Sequence, residues 1–153
     1  MSYIPSAGAV VAGVDGGRHT GTVLRAAGLI AERHGAPVVV AHVLRPAAVV
    51  TPGHCEVEGQ DVLDAVVEQI ERATLAGLAE SSAPCSVITR MGEPARELVR
   101  LARLTAARAV VIGQACSKSR FALGRVAGGV GGRLRRSLPT AVLLVPAAQP
   151  DTN

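Results

Sequence analysis

The sequence predicts a single α/β domain of the Rossmann-like kind, a five-stranded parallel sheet sandwiched between two layers of helices. Three observations lead there. Five short segments rich in apolar residues recur along the chain, one of them, VVVAHVL, a continuous run of the kind expected of a parallel strand buried on both faces. Segments with apolar residues at helical spacing separate those runs. At 153 residues the chain suits one hydrophobic core. Short right-handed crossovers turn the resulting order, βαβαβαβαβ, into a parallel sheet covered on both sides.

The first run, VVAGV from Val10 to Val14, is stopped by Asp15-Gly16-Gly17. Val23, Ala26, Ala27 and Ile30 then fall at i, i+3, i+4 and i+7, which predicts a helix with Thr20 as its N-cap and Gly35 as its stop. Pro37 opens the second strand, VVVAHVL. Residues 45–59 contain Pro46, Pro52 and Gly53 and follow neither period, so they read as a loop. Helical spacing resumes from Asp61, with Leu63, Val66, Val67 and Ile70 on one stripe and most acids off it. CSVITRM, from Cys85 to Met91, is the third strand. Gly92-Glu93-Pro94 follows, and proline suits the first turn of a helix whose apolar face carries Leu98, Leu101 and Ala102. AVVIG, ending at Gly113, and TAVLLV, from Thr140 to Val145, are the fourth and fifth strands. The domain is expected to occupy residues 9–147, with tails at 1–8 and 148–153.

Composition narrows the chemistry. Tyr3 and Phe121 are the only aromatics, so Val, Ala and Leu must fill the core. No apolar run approaches the roughly 18 residues of a membrane span, and the first residues carry neither a charged leader nor a long apolar stretch. Cys55, Cys85 and Cys116 are odd in number and match no pairing motif, which points to a reducing compartment, the cytoplasm. The net charge of +4 hides a division. Residues 98–150 hold no Asp or Glu, yet they hold Arg100, Arg103, Arg108, Lys118, Arg120, Arg125, Arg133, Arg135 and Arg136; residues 56–80 hold seven acids against Arg72. Such asymmetry marks either an anion-binding end or two oppositely charged solvated faces.

In open parallel sheets, ligands sit at the carboxyl ends of strands where the strand order reverses. That rule selects Asp15, Gly16, His42, Val43, Met91, Gly92 and the loop after Gly113. Backbone amides from Gly128 to Gly132, with Val130 among them, can form an anion nest at a helix start, and Lys118, Arg120 and Arg125 can supply charge. Other chemistry finds little support. There is no Gly-Lys-Ser/Thr after a glycine loop, GVGGRL lacks the third glycine of a dinucleotide fingerprint, and no serine sits in a strand-to-helix elbow. His54 and Cys55 match no zinc spacing, so no metal site is expected.

The chain resembles the universal stress protein family over nearly its whole length. VVAGVDGG resembles that family's first strand and Asp-Gly-Ser turn, VVVAHVL its second strand, and RMGEPARELVRLA its Gly-x-Pro entry to the third helix. The resemblance implies a dimer, often formed through the last strand. In the family's nucleotide-binding branch it also implies an adenine nucleotide, with Asp15 near the base, the Val43 backbone touching it, and a phosphate motif of Gly, two residues, Gly, nine residues, Gly-Ser or Gly-Thr. Gly113 matches the first glycine. Cys116 stands at the second, Gly128-Gly129 stands at the Gly-Ser position, and the loop is two residues longer than the pattern.

Two functions follow as expectations. One is a stress-response protein that binds ATP or cyclic AMP weakly between the first strand's end and the loop from Gly113 to Gly132. The other is a nucleotide-free dimeric interaction protein of the same fold. Neither is an enzyme. Nucleic-acid binding through the arginine stretch would lack aromatic stacking residues, so nucleic acid is not an expected partner.

Overall fold

The computed structural model describes residues 7–45, 56–114 and 129–146, with residues 56–62 described by their backbone alone. Strands and helices alternate through them: β1 (Val10–Val14), α1 (Thr20–His34), β2 (Val38–Leu44), α2 (Glu56–Gly77), β3 (Cys85–Met91), α3 (Pro94–Leu104), β4 (Ala109–Gly113), α4 (Val130–Ser137) and β5 (Ala141–Val145). The sheet is ordered β3-β2-β1-β4-β5, and every neighbouring pair is parallel. The expected architecture, five parallel strands between two helical layers, is the one present. No helix among the described residues is long and apolar enough to cross a membrane.

The alternation of side chains along each strand builds two cores. Val10, Ala12 and Val14 face one side with Val38, Val40 and Val111, where Val23, Leu24 and Ala27 of α1 and Ile70 of α2 cover them. Ala9, Val11, Val39 and Val110 face the other, under Leu98 and Leu101 of α3 and Leu134 of α4. Both faces of the central strands are thus apolar, which is why their sequences run on without polar alternation.

Boundaries differ from the sequence expectation in three places. α2 begins at Glu56 rather than near Asp61; Gly59 lowers the apparent helicity, but its cost of about 1 kcal/mol is small in a helix this long. Thr20 is the first helical residue and His19 the N-cap, with no side-chain capping bond. Thr140 lies in the bend after Pro139, and β5 starts at Ala141. Gly35 does stop α1, in the left-handed conformation at φ 59°.

The two helices of the first layer pack without an intervening side chain at one point. A Cβ placed on Gly77 would stand 2.7 Å from the Leu24 Cβ, and one on Gly28 would stand 3.1 Å from Leu78 and Ser81. Glu32 adds a polar tie, its Oε1 accepting from the Ser82 N–H at 2.6 Å. Gly77→Ala is therefore expected to lower stability. Overpacking costs about 1–3 kcal/mol, and the helix propensity regained, at most about 1 kcal/mol and less at a helix end, does not offset it. Urea unfolding checks this, and an unchanged or raised midpoint contradicts it.

Candidate functional site

The chain winds from β1 through β2 to β3 in one direction, then returns to lay β4 on the other side of β1. α1 leaves the end of β1 toward one face, and α4, which follows β4, lies on the other. A crevice opens between such strands at their carboxyl ends. Asp15 stands at one lip, one residue past β1, and Gly113 ends β4 at the other.

Local chemistry shapes the β1 lip. The Asp15 Oδ1 accepts a hydrogen bond from the Gly17 N–H at 2.8 Å, and Gly16 sits at φ 80°, a region that glycine enters without a Cβ penalty. The chain so turned brings His19 against β4: a Cβ on Gly113 would stand 2.8 Å from the His19 Cβ. Glycine at the end of β4 is thus required by a histidine from the other strand's loop.

Three buried side-chain atoms have no hydrogen-bond partner among the described residues: His19 Nδ1, Thr20 Oγ1 and His42 Nδ1. All three belong to the carboxyl-end region of β1 and β2. His42 is 3% exposed and pairs in register with Val14. Burial lowers its pKa below the usual histidine value, and the negative charge of nearby Asp15 opposes that shift without overcoming it. At neutral pH the ring is uncharged.

Helix starts distinguish the crevice from the rest of the sheet. The first amides of any helix lack intrahelical acceptors and carry the positive end of its dipole. At α3 this need is met from within: Glu93 is the N-cap, its carboxylate accepting from the N–H groups of Ala95 at 3.2 Å and Arg96 at 2.9 Å, and Glu97 adds an acid to the first turn. Desolvation opposes ionisation of Glu93, but the Arg96 and Ala95 amides and the Arg133 guanidinium hold its pKa below the ordinary carboxylate value. Neither α1 nor α4 has a side-chain cap or an acid in its first turn. The two helices that follow the crevice strands thus start without a side-chain cap, although the first amide of α1 is met by the backbone, Thr20 N–H donating to the Gly17 carbonyl at 3.1 Å.

The sequence-selected residues separate into three groups. Asp15, Gly16 and Gly113 meet at the crevice, and Val43 lies on the adjacent strand β2. Met91 ends the edge strand β3 and Gly92 follows it, two strand spacings or about 10 Å from β1; Gly92 donates its N–H to the Leu44 carbonyl at 2.9 Å. Gly129 is the N-cap of α4 in extended conformation, and Val130 is its first residue. Cys116, Lys118, Arg120 and Gly128 lie outside the described residues. Sequence reasoning missed His19, whose role depends on a contact across strands, and the capping of α3 by Glu93, which an acid directly before a helix-opening proline does signal.

The chain matches the model of the universal stress protein family over residues 8–146. No curated protein matches it. Among solved structures, a universal stress protein in complex with cAMP is 23% identical, over 94% of this chain and 99% of that one, with a TM-score of 0.67. UspA from Lactobacillus plantarum is 19% identical, over 92% and 98%, at 0.68. A universal stress protein from Archaeoglobus fulgidus in complex with dAMP is 24% identical, over 94% and 98%, at 0.51. At these identities the likeness is one of fold.

The state of His42 generates a pH prediction. Its pKa is depressed from 6.5 in the fold, so below about pH 6.5 the unfolded chain binds the proton more readily and stability is lost as pH falls. Above that pH it contributes no slope. Thermal melts between pH 7.5 and 5 are expected to show a decline that shrinks in His42→Gln, whereas Glu93, with its depressed pKa, acts only below about 4.5. Equal slopes in the two proteins would contradict the assignment.

Proposed function

The chain belongs to the universal stress protein family, and from that premise we propose that it binds an adenine nucleotide in the crevice between β1 and β4. The observation that carries the reading is the pair of uncapped helix starts, α1 and α4, on either side of that crevice, with Asp15 at its lip. Amides pointing into a helix start suit phosphate, and a carboxylate at a strand end suits a base or ribose donor. Solved members of the fold in complex with cAMP and dAMP support it. Gly16 and Gly113 stand at the ends of β1 and β4, Val43 lies on β2 on the other side of β1, and Gly129 and Val130 begin α4 on the phosphate side. Met91 and Gly92 would meet only a ligand that extends toward β3.

The reading is one of binding and signalling rather than catalysis, in the cytoplasm, where an exposed free thiol such as Cys85 stays reduced. Binding is expected to be weak, because Gly129 places no hydroxyl at the start of α4 and Cys116 occupies a glycine position of the family motif. Those same departures favour the second reading, a nucleotide-free interaction protein. Calorimetric titration with ATP, ADP and cyclic AMP separates the two. The expected result is a dissociation constant in the high micromolar range or weaker, lost roughly tenfold on Asp15→Ala, the worth of one charge-assisted hydrogen bond. Cys116→Gly with Gly129→Ser is expected to tighten binding by a similar factor. Absence of binding by either protein selects the interaction reading.

The same family reading implies a homodimer through the last strand, Thr140–Val145 by sequence, of which Ala141–Val145 form β5. β5 is the last strand of the sheet, hydrogen-bonded to β4 alone among the described residues, and Leu143 is 43% exposed on it. An apolar edge is an aggregation liability that a twofold partner covers. Leu143→Arg is expected to give a folded monomer by light scattering; a full dimer from that variant would place the interface elsewhere.

A further inference from the structure

The two helical layers carry opposite charge, and the layer formed by α3 and α4 is the basic one. Arg96, Arg100 and Arg103 of α3 are exposed. At 100° per residue they fall within an arc of about 60°, opposite the buried stripe of Leu98, Leu101 and Ala102. Arg133, Arg135 and Arg136 are exposed on α4, which packs beside α3. The helices are tied at both ends of their seam: Arg133 Nη1 pairs with Glu93 Oε1 at 3.0 Å, and Arg103 Nη2 donates to the Ser137 carbonyl at 3.1 Å. Glu93 and Glu97 are the only acids on these helices and their caps, and Glu93 is already engaged. On the opposite layer, α2 and the turn after it expose Asp64, Glu68, Glu71 and Glu80.

We propose that the α3–α4 face docks the phosphate backbone of double-stranded nucleic acid without reading its sequence. A row of arginines at a spacing of about 4.5–6 Å along a rigid helix presents planar forks suited to phosphate oxygens. The partner must be held by charge, because this face offers no apolar anchor of the kind that dominates protein interfaces: Ala95, Leu98, Leu101, Ala102, Leu134 and Leu138 are all buried beneath it, and Leu104, at the far end of α3, is the one large apolar side chain left exposed there. A polyanion is such a partner. The absence of aromatic residues counts against stacking on single strands but not against contacts to a duplex backbone. The face is separate from the crevice, so this inference does not rest on nucleotide binding.

Fluorescence anisotropy of the full chain with a labelled DNA or RNA duplex tests it, the fold of each variant being checked by circular dichroism. Three phosphate contacts predict a salt slope of about −2.7, a loss of roughly 40-fold in affinity between 50 and 200 mM salt. Arg96→Gln with Arg100→Gln is expected to weaken duplex binding about tenfold or more at 50 mM salt, whereas Arg25→Gln with Arg33→Gln, which removes the same charge from exposed positions of α1, changes it less than twofold. Equal losses from the two pairs, no duplex binding at 50 mM salt, or a preference for poly-glutamate or for phosphatidylserine vesicles would overturn the proposal.

Discussion

Everything in this molecule depends on the complete enclosure of β1. Both of its edges are hydrogen-bonded, to β2 and to β4, and both of its faces are covered by helices. A strand so placed cannot carry a polar side chain without leaving it unpaired, so VVAGV is apolar throughout, and Gly13 stays small because a Cβ there would stand 3.0 Å from both Ile112 and Leu98. Polar chemistry is then pushed to the strand's end, where Asp15 is the first side chain beyond the core. The same enclosure creates the crevice, since a central strand with β2 on one side must receive β4 on the other, and the chain between them must reverse.

The region just beneath the crevice departs from the otherwise apolar rule. His42 continues the alternation of Val38 and Val40, occupying a core-facing position next to Val14. Burial favours its neutral form, and Asp15 tempers that preference without reversing it. A neutral imidazole keeps one donor and one acceptor, so it adds hydrogen-bonding capacity beneath Asp15 without adding charge. Thr20 and His19 bring further polar atoms from the α1 side, and their buried atoms share with His42 the lack of a partner among the described residues. Buried polar groups of this kind are costly in a core and are found where function or solvent supplies the missing bond.

The central strands β1, β2 and β4 were legible from the sequence because burial on both faces writes itself as continuous apolar text, whereas the edge strands β3 and β5 are only partly buried. Four of the five strands have the residues that pattern predicts, and the fifth differs only at Thr140, where Pro139 bends the chain. Helix starts were harder to read. Thr20 has the chemistry of a cap but lies one residue inside α1, because the Asx turn at Asp15 and the left-handed Gly16 set where the helix begins. The site was legible in part: the strand-end rule finds Asp15 and Gly113, since both sit at the end of an apolar run. It does not find the contact of His19 with Gly113, which depends on strand order, nor does it reveal that Met91 and Gly92 lie on an edge strand away from the β1–β4 opening. Strand order is a property of crossovers, and five similar apolar runs do not encode it locally.

The contrast between α3 and α4 shows how one arrangement of charge serves two ends. Glu93 closes the start of α3 with its carboxylate and, through the same group, holds Arg133 of α4. That pairing neutralises the arginine nearest the open start of α4, so an anion arriving there meets main-chain amides before it meets a free guanidinium. Within α4 the Arg133 main-chain N–H bonds to the Gly129 carbonyl at 3.0 Å, and only the preceding amides of the first turn remain outside the helical ladder. Further along, Arg96, Arg100 and Arg103 of α3 and Arg135 and Arg136 of α4 are exposed. A small anion at the crevice and a polyanion on the helical face would therefore draw on different donors, backbone amides for the first and guanidinium groups for the second, so occupation of one leaves the donors of the other intact.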